Sequence, residues 1–350
     1  MQAKLRAMLE GRESGVGSWL LRGGLLPLGA GYGAVGLARA ALYRTHWKWS
    51  DRAPLPVISV GNLTAGGTGK TPFVAMLARL LKSMGREPAV LMRGYAGESP
   101  EKADEVLLYQ QLVPRLKVFP GRNRVLGAAR AQEAGADILL LDDGFQHFRL
   151  QRDLDIVLVD ATCPFGGGLP LPAGMLREFP GALRRADIVI LARSDQVSPG
   201  RVEILKEKLS QWCADKMVLT AAHRPSRLAN LAGAPLPLDA LTGRQVLAVS
   251  GIGRPDAFAA TLRELGAEVC GALTFPDHYA YPGAAFVKKL RQYPSEWLAV
   301  TTEKDAVKLR ENLPPEIKEK VLAVGIEMRV SNLPAFRERI ERLTGKPANA

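Results

Sequence analysis

The stretch from Leu55 to Gly85 constrains this chain more than any other. Leu55–Val60 is a short apolar run rich in β-branched residues, the signature of a parallel strand buried on both faces. It runs directly into Gly61-Asn62-Leu63-Thr64-Ala65-Gly66-Gly67-Thr68-Gly69-Lys70-Thr71. Helical periodicity follows, with Phe73, Leu77, Leu80, Leu81 and Met84 on one face and Gly85 as terminator. Strand, glycine loop, Lys-Thr and helix in this order predict a phosphate-binding loop. Its glycines let backbone N–H groups turn toward a β-phosphate, and the helix N-terminus adds partial positive charge. Residues Thr64 to Thr71 are the expected nucleotide contacts: Thr64, Ala65, Gly66, Gly67, Thr68, Gly69, Lys70 and Thr71. Lys70 is read as bridging the β- and γ-phosphates and Thr71 as a Mg²⁺ ligand. Thr64 stands where the pattern usually has its first glycine, so Gly66 and Gly67 carry the flexibility. Pro72 is compatible with a first helical turn, whose N–H groups have no intrahelical partner.

A second apolar strand, 136–141, delivers Asp142 and Asp143 at its end. Beside a phosphate-binding loop, a carboxylate at that place orients Mg²⁺. Gly144-Phe145-Gln146-His147 continues the segment with polar groups that a generic ATPase does not need.

Further strands at 89–92, 155–160 and 187–192, with helices at 122–134 and 200–213, predict an α/β fold. The sheet is P-loop NTPase-like and mostly parallel, and ligands gather at its carboxyl edge. The proline-rich APLPLDALTG stretch then suggests a boundary. Beyond it, strands at 245–250, 268–275 and 297–302 and a helix at 256–265 form a second, smaller α/β domain. The expected divisions are 1–50 for an N-terminal segment, 51–230 for the P-loop domain and 231–345 for the smaller one. A cleft between the two domains is the expected active site, closing on substrate.

The N-terminal segment Trp19–Leu42 is apolar and glycine-rich, with Arg22 and Arg39 near its ends. It barely reaches the length that spans a bilayer and has no secretory cleavage pattern. A helix lying on an anionic membrane surface, its arginines reaching the phosphates, is the expectation. A net charge of +12 over the 350 residues suits anionic partners. Aromatic residues are 6% and no basic–aromatic stripe is present, so nucleic acid is not the expected partner. Three widely spaced cysteines (Cys163, Cys213, Cys270) form neither a metal cluster nor a disulfide framework.

These pieces resemble the tetraacyldisaccharide 4'-kinase (lipid A 4'-kinase) family. The matching segments are GNLTAGGTGKTP (61–72), RGYAG (93–97), DDGFQH (142–147), LPLPAGMLRE (169–178), FPDHYAY (275–281) and TEKDAVKL (302–309). The resemblance covers about residues 15 to 335. It implies transfer of the ATP γ-phosphate to the 4'-hydroxyl of tetraacyldisaccharide 1-phosphate, a lipid A precursor. It also implies Mg²⁺ and residence at the cytoplasmic face of a bacterial inner membrane. In such kinases an aspartate after the RGY segment pairs with the DHY histidine near the attacking hydroxyl. The corresponding residues here are Asp104 and His278, though the 94–106 segment is shorter and spelled differently. Asp137, Asp153 and Glu105 are alternative carboxylates for the proton. Gln146, His147, Arg177, Glu178 and Arg122 are candidate substrate contacts, with Arg124 an equal alternative to Arg122.

Two other functions bear on the same loop. A P-loop GTPase or metallochaperone reads guanine through Asn/Thr-Lys-x-Asp after a strand. The nearest segment here, Ala192-Arg193-Ser194-Asp195, differs at its first two positions. A nucleotide-gated membrane-binding module would leave DDGFQH and His278 without a task.

Overall fold

The computed structural model describes residues 2–13, 15–45, 49–94, 104–253, 255–276 and 279–345. It divides into two compact units, residues 1–101, 112–222 and 329–350 in the first and 102–111 and 223–328 in the second.

The first unit opens with two helices, α1 (Gln2–Leu9) and α2 (Val16–Thr45). Its sheet is built from β1 (Val57–Asn62), β2 (Pro88–Met92), β3 (Lys117–Pro120), β4 (Ile138–Asp142), β5 (Leu154–Asp160), β6 (Ile188–Ala192) and the start of β7 (Met217–Asn230). The spatial order is β7-β6-β5-β1-β4-β2-β3, and every neighbouring pair is parallel. Strands β1, β2, β4, β5 and β6 are buried at every position, as their largely apolar runs predict. Helices α3 (Lys70–Ser83), α5 (Arg124–Glu133) and α6 (Pro199–Cys213) connect them. Local chemistry sets their starts: the Asn123 side chain accepts from Val125 N and Leu126 N, and Ser198 accepts from Arg201 N. The chain passes from β4 to β5 across β1, so strand order reverses beside β1. That is where a doubly wound sheet opens a crevice at its carboxyl edge. Helix α11 (Leu333–Thr344) returns to this unit, and its Phe336 meets Phe73 edge-on at 6.1 Å between ring centroids.

The second unit takes α4 (Asp104–Leu112) except its last residue, the rest of β7, and β8 (Pro235–Leu236), paired antiparallel to β7. Its parallel strands are β9 (Gln245–Ser250), β10 (Glu268–Thr274), β11 (Leu298–Thr302) and β12 (Val321–Val330), in the order β10-β9-β11-β12. Helices α7 (Pro255–Glu264), α8 (Gly283–Leu290), α9 (Glu303–Asn312) and the short α10 (Pro315–Lys318) complete it.

The divisions differ from those expected of the sequence. APLPLDALTG is not a linker: Pro235 and Leu236 form β8, and the boundary falls at 222/223 inside β7. Proline content marks the turn after β7, but the strand itself carries the chain between units. Residues 102–111 and the C-terminal segment from 329 cross the expected boundaries for the same reason: cores are assembled from distant segments.

Helix α2 is one unbroken element, although Pro27 lies inside it. It is long and apolar enough to cross a membrane, and little of its apolar stretch is buried. Trp19, Leu20, Leu28, Val35 and Leu37 are exposed, while Ser18, Gly29 and Gly33 are buried.

Candidate active site

The site forms where β1 and β4 end side by side, with Val60 in register with Asp142. Gly69, at φ 86°, caps α3 in the left-handed conformation that glycine adopts without strain. Gly66 has φ 106°, a conformation closed to other residue types. Thr64 has a different role from the glycine it replaces. It is buried and makes an antiparallel bridge to Leu176, so an extended, β-tolerant residue suits the position.

Asn62, at the end of β1, organises the loop from below. Its amide donates to Thr64 O at 2.9 Å and to Thr68 Oγ1 at 3.0 Å, and its carbonyl accepts from Lys70 Nζ at 3.1 Å. Lys70 also pairs with Asp143 at 3.2 Å. Arg177 holds both oxygens of Asp143, at 2.9 and 2.7 Å. Burial alone would raise the Asp143 pKa, but Lys70 and then Arg177 outweigh it and hold the carboxyl below its ordinary value. Asp143 sits at φ 53°, which turns its side chain out of the line of β4.

A second layer surrounds this cluster. Gln146 Nε2 donates to Asn62 O at 2.9 Å and to Glu178 Oε1 at 3.0 Å. Arg185 pairs with Glu178 at 2.8 Å and lies over the Phe145 ring at 4.5 Å. Arg193 pairs with buried Asp160 and donates to Gly67 O at 2.8 Å, holding the far side of the loop. Arg124 is buried and donates to Asp142 O at 3.3 Å. Burial pushes its pKa down to about 10 against the pull of Asp142 and Asp143, so it remains a cation at neutral pH.

Such a site suits a polyphosphate with a hard cation. Among the described residues no group of three or more His, Cys, Asp or Glu forms a metal cage. Mg²⁺ does not require one: it takes one or two carboxylates and completes its shell with water and phosphate oxygens. Thr71, Asp142 and Asp143 supply oxygen donors of that kind, so the residues present fit the ion.

The family model of tetraacyldisaccharide-1-P 4'-kinase matches residues 21–344. This chain belongs to that family. A 4'-kinase from Pelobacter propionicus is 38% identical over 97% of this chain and 98% of its own length. One from Syntrophus aciditrophicus is 41% identical over 83% and 84%. The crystal structure of the Aquifex aeolicus family member LpxK, in complex with ATP, superposes with a TM-score of 0.75 at 32% identity. The match covers 93% of this chain and 99% of that one.

Among the family motifs, the structure brings together Thr64–Thr71, Asp142, Asp143, Gln146, Arg177 and Glu178. Arg122 is exposed, whereas Arg124, two residues on, faces the acidic pair. Asp137 and Asp153 are not in the site. Asp137 pairs with Arg86 and Asp153 accepts from Val57 N, both at the amino ends of parallel strands. Asp137 is therefore a full strand length, about 16 Å, from the carboxyl edge. Asp104 and Glu105 begin α4, whose first residues belong to the second unit. His278 lies outside the described residues. Asn62, Arg185 and Arg193 did not emerge from the motif reading, although Asn62 lies inside the glycine-loop motif.

His147 is half-buried, and its Nε2 finds no hydrogen-bond partner among the described residues. Burial lowers its pKa to about 4, helped by Arg124, Arg152, Arg39 and Arg149. The imidazole is therefore neutral throughout the physiological range and can accept a hydrogen bond at Nε2. In an NMR titration its ring signals are expected to stay constant from pH 8 to 5 and to move near pH 4. Between about 6.5 and 4 the unfolded chain binds the proton and the folded chain does not, so this residue lowers stability as pH falls through that window. His147→Gln should flatten that part of the melting-temperature profile.

Proposed function

We propose that this chain transfers the γ-phosphate of ATP to the 4'-hydroxyl of tetraacyldisaccharide 1-phosphate, giving the 1,4'-bisphosphorylated lipid A precursor, lipid IVA. The observation that carries this reading is the Lys70–Asp143–Arg177 cluster at the mouth of the phosphate-binding loop, in a chain of this family. Phosphoryl transfer asks for positioning and charge neutralisation rather than covalent catalysis. The loop amides and Lys70 hold the triphosphate, and Arg177 supplies a second cation at the same carboxylate. Thr71, Asp142 and Asp143 would hold Mg²⁺, which would neutralise developing phosphate charge. The acceptor oxygen bonds to the γ-phosphorus as the bond to the β,γ-bridging oxygen breaks. Asp104, oriented by His278, takes the hydroxyl proton, and ADP departs. Gln146, His147 and Glu178 are proposed to orient the acceptor or the phosphates; Arg124 replaces Arg122 in that role.

The apolar outer face of α2 is proposed to lie in the cytoplasmic leaflet of the inner membrane, where the lipid acceptor resides. Its exposed Trp19, Leu20, Leu28 and Val35 are the supporting feature, with the chain's positive charge favouring anionic headgroups.

The test is transfer of label from γ-labelled ATP to tetraacyldisaccharide 1-phosphate in detergent. Asp104→Asn should lower turnover about 10²–10⁴-fold while nucleotide affinity is retained. Full turnover in that variant would move the proton acceptor elsewhere. Nucleotide hydrolysis without any lipid labelling, in the parent chain, would overturn the kinase reading.

A further inference from the structure

One face of α2 does not point outward. Ser18, Arg22, Gly29, Gly33 and Gly36 recur at helical spacing and form an inward stripe. That stripe is in contact with the segment 166–179 of the same unit. A Cβ on Gly29 would lie 3.1 Å from Pro170 O and 3.2 Å from Ala173 Cβ, and one on Gly33 would lie 2.7 Å from the Phe179 ring. Arg22 donates to Gly167 O at 2.6 Å. A Cβ on Gly167 would meet Leu9 O at 2.4 Å, so α1 closes on the same segment.

The other side of segment 166–179 is bonded to the phosphate-binding loop. Ala65 N donates to Met175 O at 2.7 Å and Arg177 N to Leu63 O at 2.7 Å, flanking the Thr64–Leu176 bridge. The segment is also braced internally, with Leu171 N bonded to Leu176 O at 2.9 Å and Met175 N to Gly166 O at 3.0 Å. It ends in Arg177 and Glu178, the partners of Asp143 and Gln146. The N-terminal helix is thus one layer removed from the phosphate site, through a braced segment that has backbone bonds to the loop itself.

We infer that α2 is a positioning element of the active site as well as a surface anchor. Its glycine face seats segment 166–179, and that seating sets the phosphate-binding loop and Arg177. Glycine at 29 and 33 is what permits the approach, since larger side chains there would push the segment away from the helix. A helix that served only as an anchor would need none of these contacts. Nucleotide affinity and turnover then depend on α2 even where lipid access is not limiting. The turnover part rests on the kinase reading above; the nucleotide-binding part does not.

The experiment uses the full chain in detergent micelles and compares Gly33→Leu with Gly31→Leu. A Cβ on Gly31 meets nothing within 4 Å, so the second variant adds the same bulk to the same helix without touching the segment. Overpacking at Gly33 is expected to weaken binding of a fluorescent ATP analogue about tenfold or more. It should also lower kcat at saturating lipid, while sedimentation with anionic phospholipid vesicles persists. Gly31→Leu should leave both within about twofold, the range of ordinary surface substitutions. Gly33→Leu combined with Phe179→Ala, which makes room for the new side chain, should recover much of the nucleotide affinity.

Two results would overturn the inference. One is a Gly33→Leu protein with parental nucleotide affinity and kcat, changed only in its KM for lipid. The other is a double variant whose thermal melt recovers while its nucleotide affinity does not. Loss of lipid phosphorylation with nucleotide binding intact in the parent chain would instead count against the kinase reading alone.

Discussion

Lys70→Ala is expected to lower kcat about 10²–10³-fold, the usual cost of removing one preorganised charge from a transition state. Its ammonium is largely buried and bonded to Asn62 and Asp143, so it is already held at the mouth of the loop. In the proposed transfer, the charge developing on the phosphoryl group would meet a cation whose ordering has been completed in folding. Lys70→Arg should not rescue, because a planar, forked guanidinium cannot replace a point charge between an amide carbonyl and a carboxylate. Lys70→Ala also leaves Asp143 with Arg177 as its remaining pair, so the Asp143 pKa should move up toward its ordinary value. Single-turnover label transfer, run beside a thermal melt, separates loss of chemistry from loss of fold. A variant with parental kcat would remove Lys70 from the catalytic group.

Asp142→Asn is the second large expectation. Asp142 ends β4 within the buried sheet, next to the strand that leads into the phosphate-binding loop. In the proposed role of Mg²⁺ ligand its charge is expected to be worth several kcal/mol of transition-state stabilisation, about 10²–10³-fold in turnover. Asparagine keeps the shape and removes the charge, so the apparent Mg²⁺ requirement should rise strongly while the protein stays folded. Asp143→Asn should behave differently. It releases Lys70 and Arg177 together, and nucleotide affinity should fall along with kcat. If the two variants showed the same Mg²⁺ dependence and the same nucleotide affinity, the division of roles between these neighbours would fail. Adjacent residues can divide roles in this way because Asp142 closes the strand, whereas Asp143, at positive φ, begins the turn.

Much of this was legible in residue order. The phosphate-binding loop is built from contiguous chain, so its glycines, lysine and flanking periodicities announce it without tertiary information. The same holds for β1, β2, β4, β5 and β6, whose largely apolar runs predict burial on both faces. Other elements carried no such local signal. Strand β3 is half-buried at every position, and β7 and β12 mix buried with open positions along their length. Arg122 and Arg124 read alike in sequence; Arg124 opens α5 and is buried, whereas Arg122 precedes the Asn123 cap and lies in solvent. Asp137 and Asp153 looked like possible bases until strand direction placed them at the wrong edge.

The sequence by itself determined that this chain binds a polyphosphate on a parallel α/β sheet, and its motifs placed it among lipid A 4'-kinases. Those properties depend on backbone periodicity and on a cradle closed within one loop, where neighbours in sequence are neighbours in space. Only the tertiary structure decided which distant groups complete the cradle. Arg177 meets Asp143 across 34 residues and Arg193 meets the Gly67 carbonyl across 126, while the glycine face of α2 meets segment 166–179 through long-range packing. Such contacts follow from strand order and crossover, and no local pattern encodes which partner the folded sheet will bring within hydrogen-bonding distance.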